Sequence, residues 1–264
     1  MIPKDKPFQW PFVMVSDVHL RQPDDARARL LELVIARCRA GDVECLLLGG
    51  DIFDFCFGGS AWFRNKFAGI GNALETLAAS GTRVIFVEGN HEFDLRSMGW
   101  SGVEIRTERD FAIELRNGLK IQVCHGDLLL SHWTYRVFRF VIKARITHLA
   151  ARLIPGKWFD LWALNHAKNS RARDEYRTLD HQALMASANR WLDQTSAQHG
   201  FFGHFHVPYA EPRAGRNDGR ILSVESWDRP NLLVYGPDGF SRVNLKHDGE
   251  STLLEAKSIL DLRK

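Results

Sequence analysis

Five short stretches of this sequence combine glycine or aspartate with residues that bind cations or move protons. They are Asp17-Val18-His19, Gly50-Asp51, Gly89-Asn90-His91-Glu92, His125-Gly126-Asp127 and Gly203-His204-Phe205-His206. Asp17, His19, Asp51, Asn90, His125, His204 and His206 together offer four imidazoles, two carboxylates and one amide oxygen. Mixed nitrogen and oxygen donors of this kind suit divalent metals of intermediate softness, namely Mn, Fe, Zn or Co. Seven donors are too many for one tetrahedral ion and fit two ions that share a carboxylate. Alternation along an extended chain would turn both members of Asp17-x-His19, and of His204-x-His206, to the same side. Neighbouring glycines permit tight turns and close backbone approach. Any one of these pairs is common in proteins that bind no metal, and the argument rests on the ordered set of five. His132, His148, His166, His181, His199 and His247 lack this placement and are expected to be structural or solvent-facing.

Each stretch follows a run that reads as a buried strand: 12–16, 45–48, 83–87, 119–124 and 201–202. The polar groups therefore leave the carboxyl ends of strands, the edge where open α/β sheets place their sites. Leu30, Leu31, Val34 and Ile35 have helical spacing behind Asp24-Asp25, and 61–79 reads as one helix. Asn117-Gly118 between 111–115 and 119–124 signals a hairpin. Residues 131–198 read as almost wholly helical with a break at Pro155-Gly156, and short strands at 221–224, 232–235 and 242–245 close the chain. Strands alternating with helices indicate an α/β sheet covered by helices.

The 264 residues, 45% apolar and 25% charged, have the composition of a globular protein and exclude disordered, collagenous and disulfide-scaffold classes. The formal charge of +3 is too small to predict nucleic-acid binding by itself. It is unevenly spread. Residues 131–177 hold ten Lys/Arg against three acids, so the remainder of the chain is net negative and the segment points to a local anionic partner. Cys38, Cys45, Cys56 and Cys124 form no CxxC pair, which suggests a reducing compartment. No run reaches the roughly 18–20 apolar residues of a membrane span and no secretory signal core precedes the first strand, so a cytoplasmic protein is expected.

The motifs DVH, GGD, GNHE, CHGD and GHFH, in this order over roughly residues 12–210, resemble those of the calcineurin-like binuclear metallophosphoesterases. The resemblance implies a four-layer α-β-β-α sandwich holding two divalent ions, Mn first and Fe or Zn as alternatives, about 3.5–4 Å apart. By this resemblance Asp17, His19 and His206 bind one ion, Asn90, His125 and His204 the other, and Asp51 bridges. His91 matches a catalytic histidine that is not a ligand. Two cations would lower the pKa of a shared water and neutralise phosphoryl oxygens, while His91 stabilises charge or protonates the leaving oxygen. Asp127 is expected to orient His91 or a ligand.

The helical segment bears on the substrate. Val137, Phe138, Val141, Ile142, Ile146, Leu149 and Leu153 fall along one apolar face, and Arg136, Arg139 and Lys143 form a cationic stripe at helical spacing. Such a segment can hold an acyl chain, meet an anionic bilayer, or cap the body. Tyr135, Phe138, Arg139 and Asn169-Ser170, with the GDIFDF run around Asp51 and Ser226-Trp227, resemble the UDP-2,3-diacylglucosamine pyrophosphohydrolase branch of the superfamily. That branch implies cleavage of a UDP-linked diacyl sugar to UMP and lipid X, in lipid A biosynthesis. Tyr135, Arg139, Asn169 and Ser170 would then contact substrate. Residues 131–177 would be a helical lid inserted into a body made of 1–130 and 178–264, with peripheral contact to the inner membrane. The chain departs from the branch at His91, where Arg is usual, and at 129–132, where a Cys-Thr-Asp-Asp run is usual. A binding module that had lost catalysis would lack some of these ligands. A nuclease would use the basic segment as a phosphate track, but the aliphatic residues interleaved with its cations favour a lipid, so no nucleic-acid partner is expected.

Overall fold

The computed structural model describes residues 10–108, 110–161, 179–215, 219–247 and 252–258. Asn169 and Ser170 lie outside the described residues.

Two sheets face one another. The larger has seven strands in the order β14-β13-β12-β1-β2-β4-β6, comprising Thr252–Ser258, Gly239–His247, Asn231–Gly236, Phe12–Val15, Cys45–Leu48, Arg83–Val87 and Val103–Arg106. Its β1, β2, β4 and β6 run parallel, and β12 joins β1 antiparallel. The smaller has five strands in the order β10-β11-β9-β8-β7, comprising Ala210–Pro212, Arg220–Ser223, His199–Phe202, Lys120–Cys124 and Asp110–Glu114. Strand faces alternate between two environments, as a period of two demands. Phe12, Met14, Cys45, Leu47, Ile85 and Leu233 meet Ile113, Ile121, Val123, Phe201 and Leu222 in the core between the sheets. Val13, Val15, Leu46, Leu48, Val84 and Phe86 point the other way, into a core shared with α1 (Ala26–Ala40) and α3 (Ala68–Ala79).

The outer face of the smaller sheet is covered by α6 (His181–Asp193), whose Leu184, Ala188, Trp191 and Leu192 pack on Cys124, Phe202 and Ile221. The result is the four-layer α-β-β-α sandwich expected from the sequence. Helix starts follow local chemistry. Asp25 caps α1 by accepting from the Ala28 amide, and Asp180 caps α6 by accepting from that of Ala183. Asn117-Gly118 does close the β7–β8 hairpin, with Gly118 at φ +82°.

The helical expectations need two corrections. Residues 61–79 form α2 (Ala61–Lys66) and α3 rather than one helix, because Phe67 leaves the helical region at φ −107°, ψ 21° and buries its ring in the core. The stretch before Pro155 is α4 (Trp133–Ile142) and α5 (Arg145–Ala151), parted at Ala144, whose ψ of 143° is extended. No helix among the described residues is long and apolar enough to cross a membrane.

Candidate metal centre

β1, β2 and β4 of one sheet and β8 and β9 of the other end at a common rim, and the five motifs meet there. The loops after β1 and β2 are stitched side by side: Asp17 N donates to Gly50 O at 3.1 Å, His19 N to Asp51 O at 3.0 Å and Leu20 N to Ile52 O at 2.8 Å. Contacts across the sandwich then join the sheets. His204 N donates to Asp17 Oδ1 at 3.0 Å, and His125 Nδ1 donates to the Gly49 carbonyl at 3.1 Å.

The reason given by strand alternation for these placements does not hold. Asp17, His19, Asp51, His204 and His206 all have positive φ, between 52° and 70°. The chain has already left the strand and turns at each of these residues, so the side chains are aimed by left-handed backbone rather than by a pleat. Non-glycine residues adopt that conformation at a cost and cluster at functional sites when they do. Close approach also explains two glycines. A Cβ on Gly89 would overlap Asp51 Oδ1, and a Cβ on Gly50, itself at φ +97°, would overlap His125 Nδ1.

Two groups of donors converge. In one, His206 Nε2 lies 3.4 Å from Asp17 Oδ1 and 3.2 Å from His19 Nε2. In the other, Asn90 Oδ1 lies 2.9 Å from His125 Nε2 and 3.0 Å from His204 Nδ1, and Asp51 Oδ2 lies 3.4 Å from His125 Nε2. The ligand atoms of Asp17, His19 and His206, and likewise those of Asp51, His125 and His204, lie within 4.8 Å of one another, close enough for one ion to touch each set. All seven residues expected as ligands are therefore brought together. A third grouping, His19, Asp54 and His91, shares His19 with the first. Its Asp54 Oδ1 lies 3.8 Å from His19 Nδ1, too far for a hydrogen bond, while His19 Nε2 faces His206.

The electrostatics fit cations. Burial pushes the His19 and His204 imidazoles down to about 4, against the pull of Asp51, so both are neutral and carry a lone pair at neutral pH. Burial also opposes charge on Asp17 and Asp51, yet the surrounding histidines hold both carboxyls below the usual carboxylate range. Burial disfavours the His125 cation too, but Asp51, Asp17 and Asp127 outweigh it and lift this group to about 10. With Nδ1 committed to Gly49, the extra proton on His125 sits at Nε2, between Asn90 Oδ1 and Asp51 Oδ2. Positive charge is thus wanted at that position, and the donor set is one a divalent ion satisfies.

His91 stands beside the donors. Its amide donates to Asp51 Oδ1 at 3.0 Å, its Nδ1 donates to the Asp54 carbonyl at 2.7 Å, and its Nε2 lies 3.9 Å from Asp51 Oδ2. The task expected of Asp127 toward His91 is therefore filled by the Asp54 main chain. Asp127 Oδ2 instead accepts from Tyr135 Oη at 2.9 Å and Arg139 Nε at 2.6 Å. Those two residues, expected at the substrate, turn their polar groups onto the body.

Two residues were not singled out by their own type, and Lys143 was named only within the cationic stripe. Glu92 is buried and accepts from the amides of Asp51, Ile52, Phe53 and Gly89 at 2.8–3.1 Å, which clasps two of the loops. Asp54 accepts from the His91 ring through its carbonyl, and its side chain is held by Arg21 Nε at 3.2 Å. Lys143 reaches the loop that carries Asn90. The GNHE and GDIFDF motifs hold the only sequence signal for Glu92 and Asp54.

The Calcineurin-like phosphoesterase family profile matches residues 11–208, three-quarters of the chain and every motif above. The chain belongs to the calcineurin-like phosphoesterases. It is a phosphohydrolase of that family, and its rim of imidazoles and carboxylates is where the family's chemistry would act. A UDP-2,3-diacylglucosamine hydrolase of Pseudomonas savastanoi pv. phaseolicola is 27% identical over 248 residues, covering 92% of this chain and 98% of that protein. One from Neisseria meningitidis serogroup A is 23% identical over 231 residues, covering 87% and 95%. Among solved structures, wild-type Vps29 of Entamoeba histolytica complexed with zinc aligns at a TM-score of 0.44 and 14% identity, covering 93% of this calcineurin-like chain and 97% of the other.

Proposed function

We propose that this phosphoesterase cleaves the pyrophosphate of UDP-2,3-diacylglucosamine, releasing UMP and lipid X. The observation that carries the substrate is the orientation of α4. Its Arg139 and Lys143 face the body, on Asp127 and Glu88, while Trp133, Val137, Phe138, Phe140 and Val141 are exposed. Ile146, Leu149, Leu153, Trp158 and Leu161, later in the same segment, are exposed as well. Exposed large apolar side chains concentrated in one segment mark a binding surface, and acyl chains have the chemistry to cover it. The curated relatives named for this substrate support the same reading.

In this reading residues 131–177 form a lid on a body made of 1–130 and 178–264. The lid's seat is polar. Lys66 Nζ holds Asp160 at 2.8 Å, and Arg152 donates to Asp94 and Ser97 at 2.9 and 2.8 Å. A substrate that resides in a bilayer also implies peripheral contact with the inner membrane from the cytoplasmic side.

Asp17, His19 and His206 would hold one divalent ion and Asn90, His125 and His204 a second, with Asp51 between them. Mn is the first choice, with Fe or Zn as alternatives. When bound, such a pair supplies Lewis acidity toward phosphoryl oxygens and lowers the pKa of water near neutrality. The Gly49 carbonyl holds the His125 ring in orientation. His91, a third of its side chain exposed, presents Nε2 to the phosphoester and donates its proton to the leaving oxygen. Burial opposes charge on His91, but Asp51 and the Asp54 carbonyl raise its pKa above the ordinary value and keep that proton in supply.

The test is turnover of UDP-2,3-diacylglucosamine beside its deacylated analogue, bis(p-nitrophenyl) phosphate and DNA, all with added Mn. Strong preference for the acylated sugar nucleotide supports the proposal. Equal turnover of the deacylated analogue would remove it.

A further inference from the structure

We propose that Lys143 is a positioning residue that couples the seat of helix α4 to the loop presenting Asn90 and His91. This inference rests on the two-metal part of the reading above and not on the acylated substrate.

The three protons of the Lys143 ammonium have three acceptors: Glu88 Oε1 at 3.0 Å, Gly89 O at 2.6 Å and Glu92 O at 3.0 Å. These acceptors lie on both sides of Asn90-His91, so one ammonium pins the loop before and after the two residues that do chemistry. The pair is nearly dry, with side-chain exposures of 12% for Lys143 and 2% for Glu88. The ammonium lies 5.5 Å from the centre of the Phe93 ring, and Glu88 Oε2 accepts from the Leu95 amide at 2.8 Å. Each end of the clasp is therefore fixed. Along the same helix, Tyr135 and Arg139 grip Asp127, two residues past His125. Helix α4 thus touches both loops that supply the Asn90–His125 donor group, and Lys143 is its only contact of this kind on the Asn90 side among the described residues.

A basic residue at the end of a helix is ordinarily explained by the helix dipole and a solvated head group. Here the head group is turned inward and fully coordinated. Groups that orient metal-binding residues typically cost about 10- to 100-fold in affinity or activity when removed.

The experiment uses the full chain, stripped of metal and titrated with MnCl2 by calorimetry, with turnover of bis(p-nitrophenyl) phosphate at saturating Mn. Lys143→Met keeps the aliphatic stem and removes the ammonium, and Glu88→Gln removes the charge at the other end. Both should weaken Mn binding about tenfold and lower kcat with little change in KM. Arg152→Met, which breaks a different anchor of the same segment, should leave both readouts unchanged. Wild-type Mn affinity and kcat in Lys143→Met would overturn the inference, as would an equal fall in Arg152→Met, since the effect would then be general loosening of the segment. Should Lys143→Met fail to fold, judged by its melting curve, Glu88→Gln decides on the same readouts. A wild-type chain that takes up none of Mn, Fe and Zn overturns the two-metal reading together with this inference, whereas normal uptake with unaltered variants removes only the inference.

Discussion

His91 Nδ1 lies 2.7 Å from the main-chain oxygen of Asp54, and a carbonyl can only accept, so the proton at Nδ1 is fixed and Nε2 is the nitrogen left for chemistry. His91→Ala should lower kcat by about 10²–10⁴ while metal content stays at the wild-type level. Phosphodiester turnover and elemental analysis of the same sample check both halves, and a variant that loses metal would make His91 a ligand instead.

Asp51, proposed above as the shared carboxylate, lies 3.4 Å from His125 Nε2 through Oδ2, and its Oδ1 also accepts the His91 amide. Asp51→Asn keeps that acceptor and removes the charge. Hydrolysis of a small diester should be abolished and metal content should fall, as read by mass spectrometry of the purified protein.

Gly89 has no room for a side chain. A Cβ there would meet Asp51 at both Oδ1 and the amide nitrogen, and backbone cannot swing aside. Gly89→Ala should cost about 1–3 kcal/mol of stability and most of the activity, measured by denaturant unfolding and turnover.

The apolar face of the helical segment yields a substrate-dependent prediction. Phe140→Ser or Ile146→Ser should lower kcat/KM for UDP-2,3-diacylglucosamine relative to that for a small diester. Equal ratios in wild type and variants would mean that the face touches no acyl chain.

The four cysteines are buried and form no disulfide with one another. Burial pushes the Cys45 thiol up to about 12 and raises those of Cys38 and Cys56 further. In the unfolded chain thiols lose their protons near pH 8.5, so above that pH the native state binds more protons than the unfolded one. Stability should therefore decline as pH rises past about 9. Urea midpoints across pH 7 to 11 check the sign, and Cys45→Ala should flatten the slope.

The polar motifs and the strands before them were legible because each is local: an apolar run, a glycine, then a donor. The β7–β8 hairpin was legible for the same reason, through Asn117-Gly118. What the sequence concealed is pairing across distance. Lys143 meets Glu88 from 55 positions away and Glu92 reaches Ile52 from 40, and neither partner has a motif that announces the other. β3 (Cys56–Phe57) and β5 (Glu92–Phe93), which pair with each other, are two residues long and too short for any periodicity. The helical pattern of α4 showed an apolar face and a cationic stripe but not which one faces the body. Charge decided it, because Glu88 and Asp127 offer the stripe two buried carboxylates.

The left-handed turns at His19 and His206 have a consequence for evolution in the laboratory. Glycine at either position would relax the main chain, so selection for heat resistance alone should favour such replacements and deliver a tougher but inert protein. The rim is where this fold has exchanged durability for reactivity.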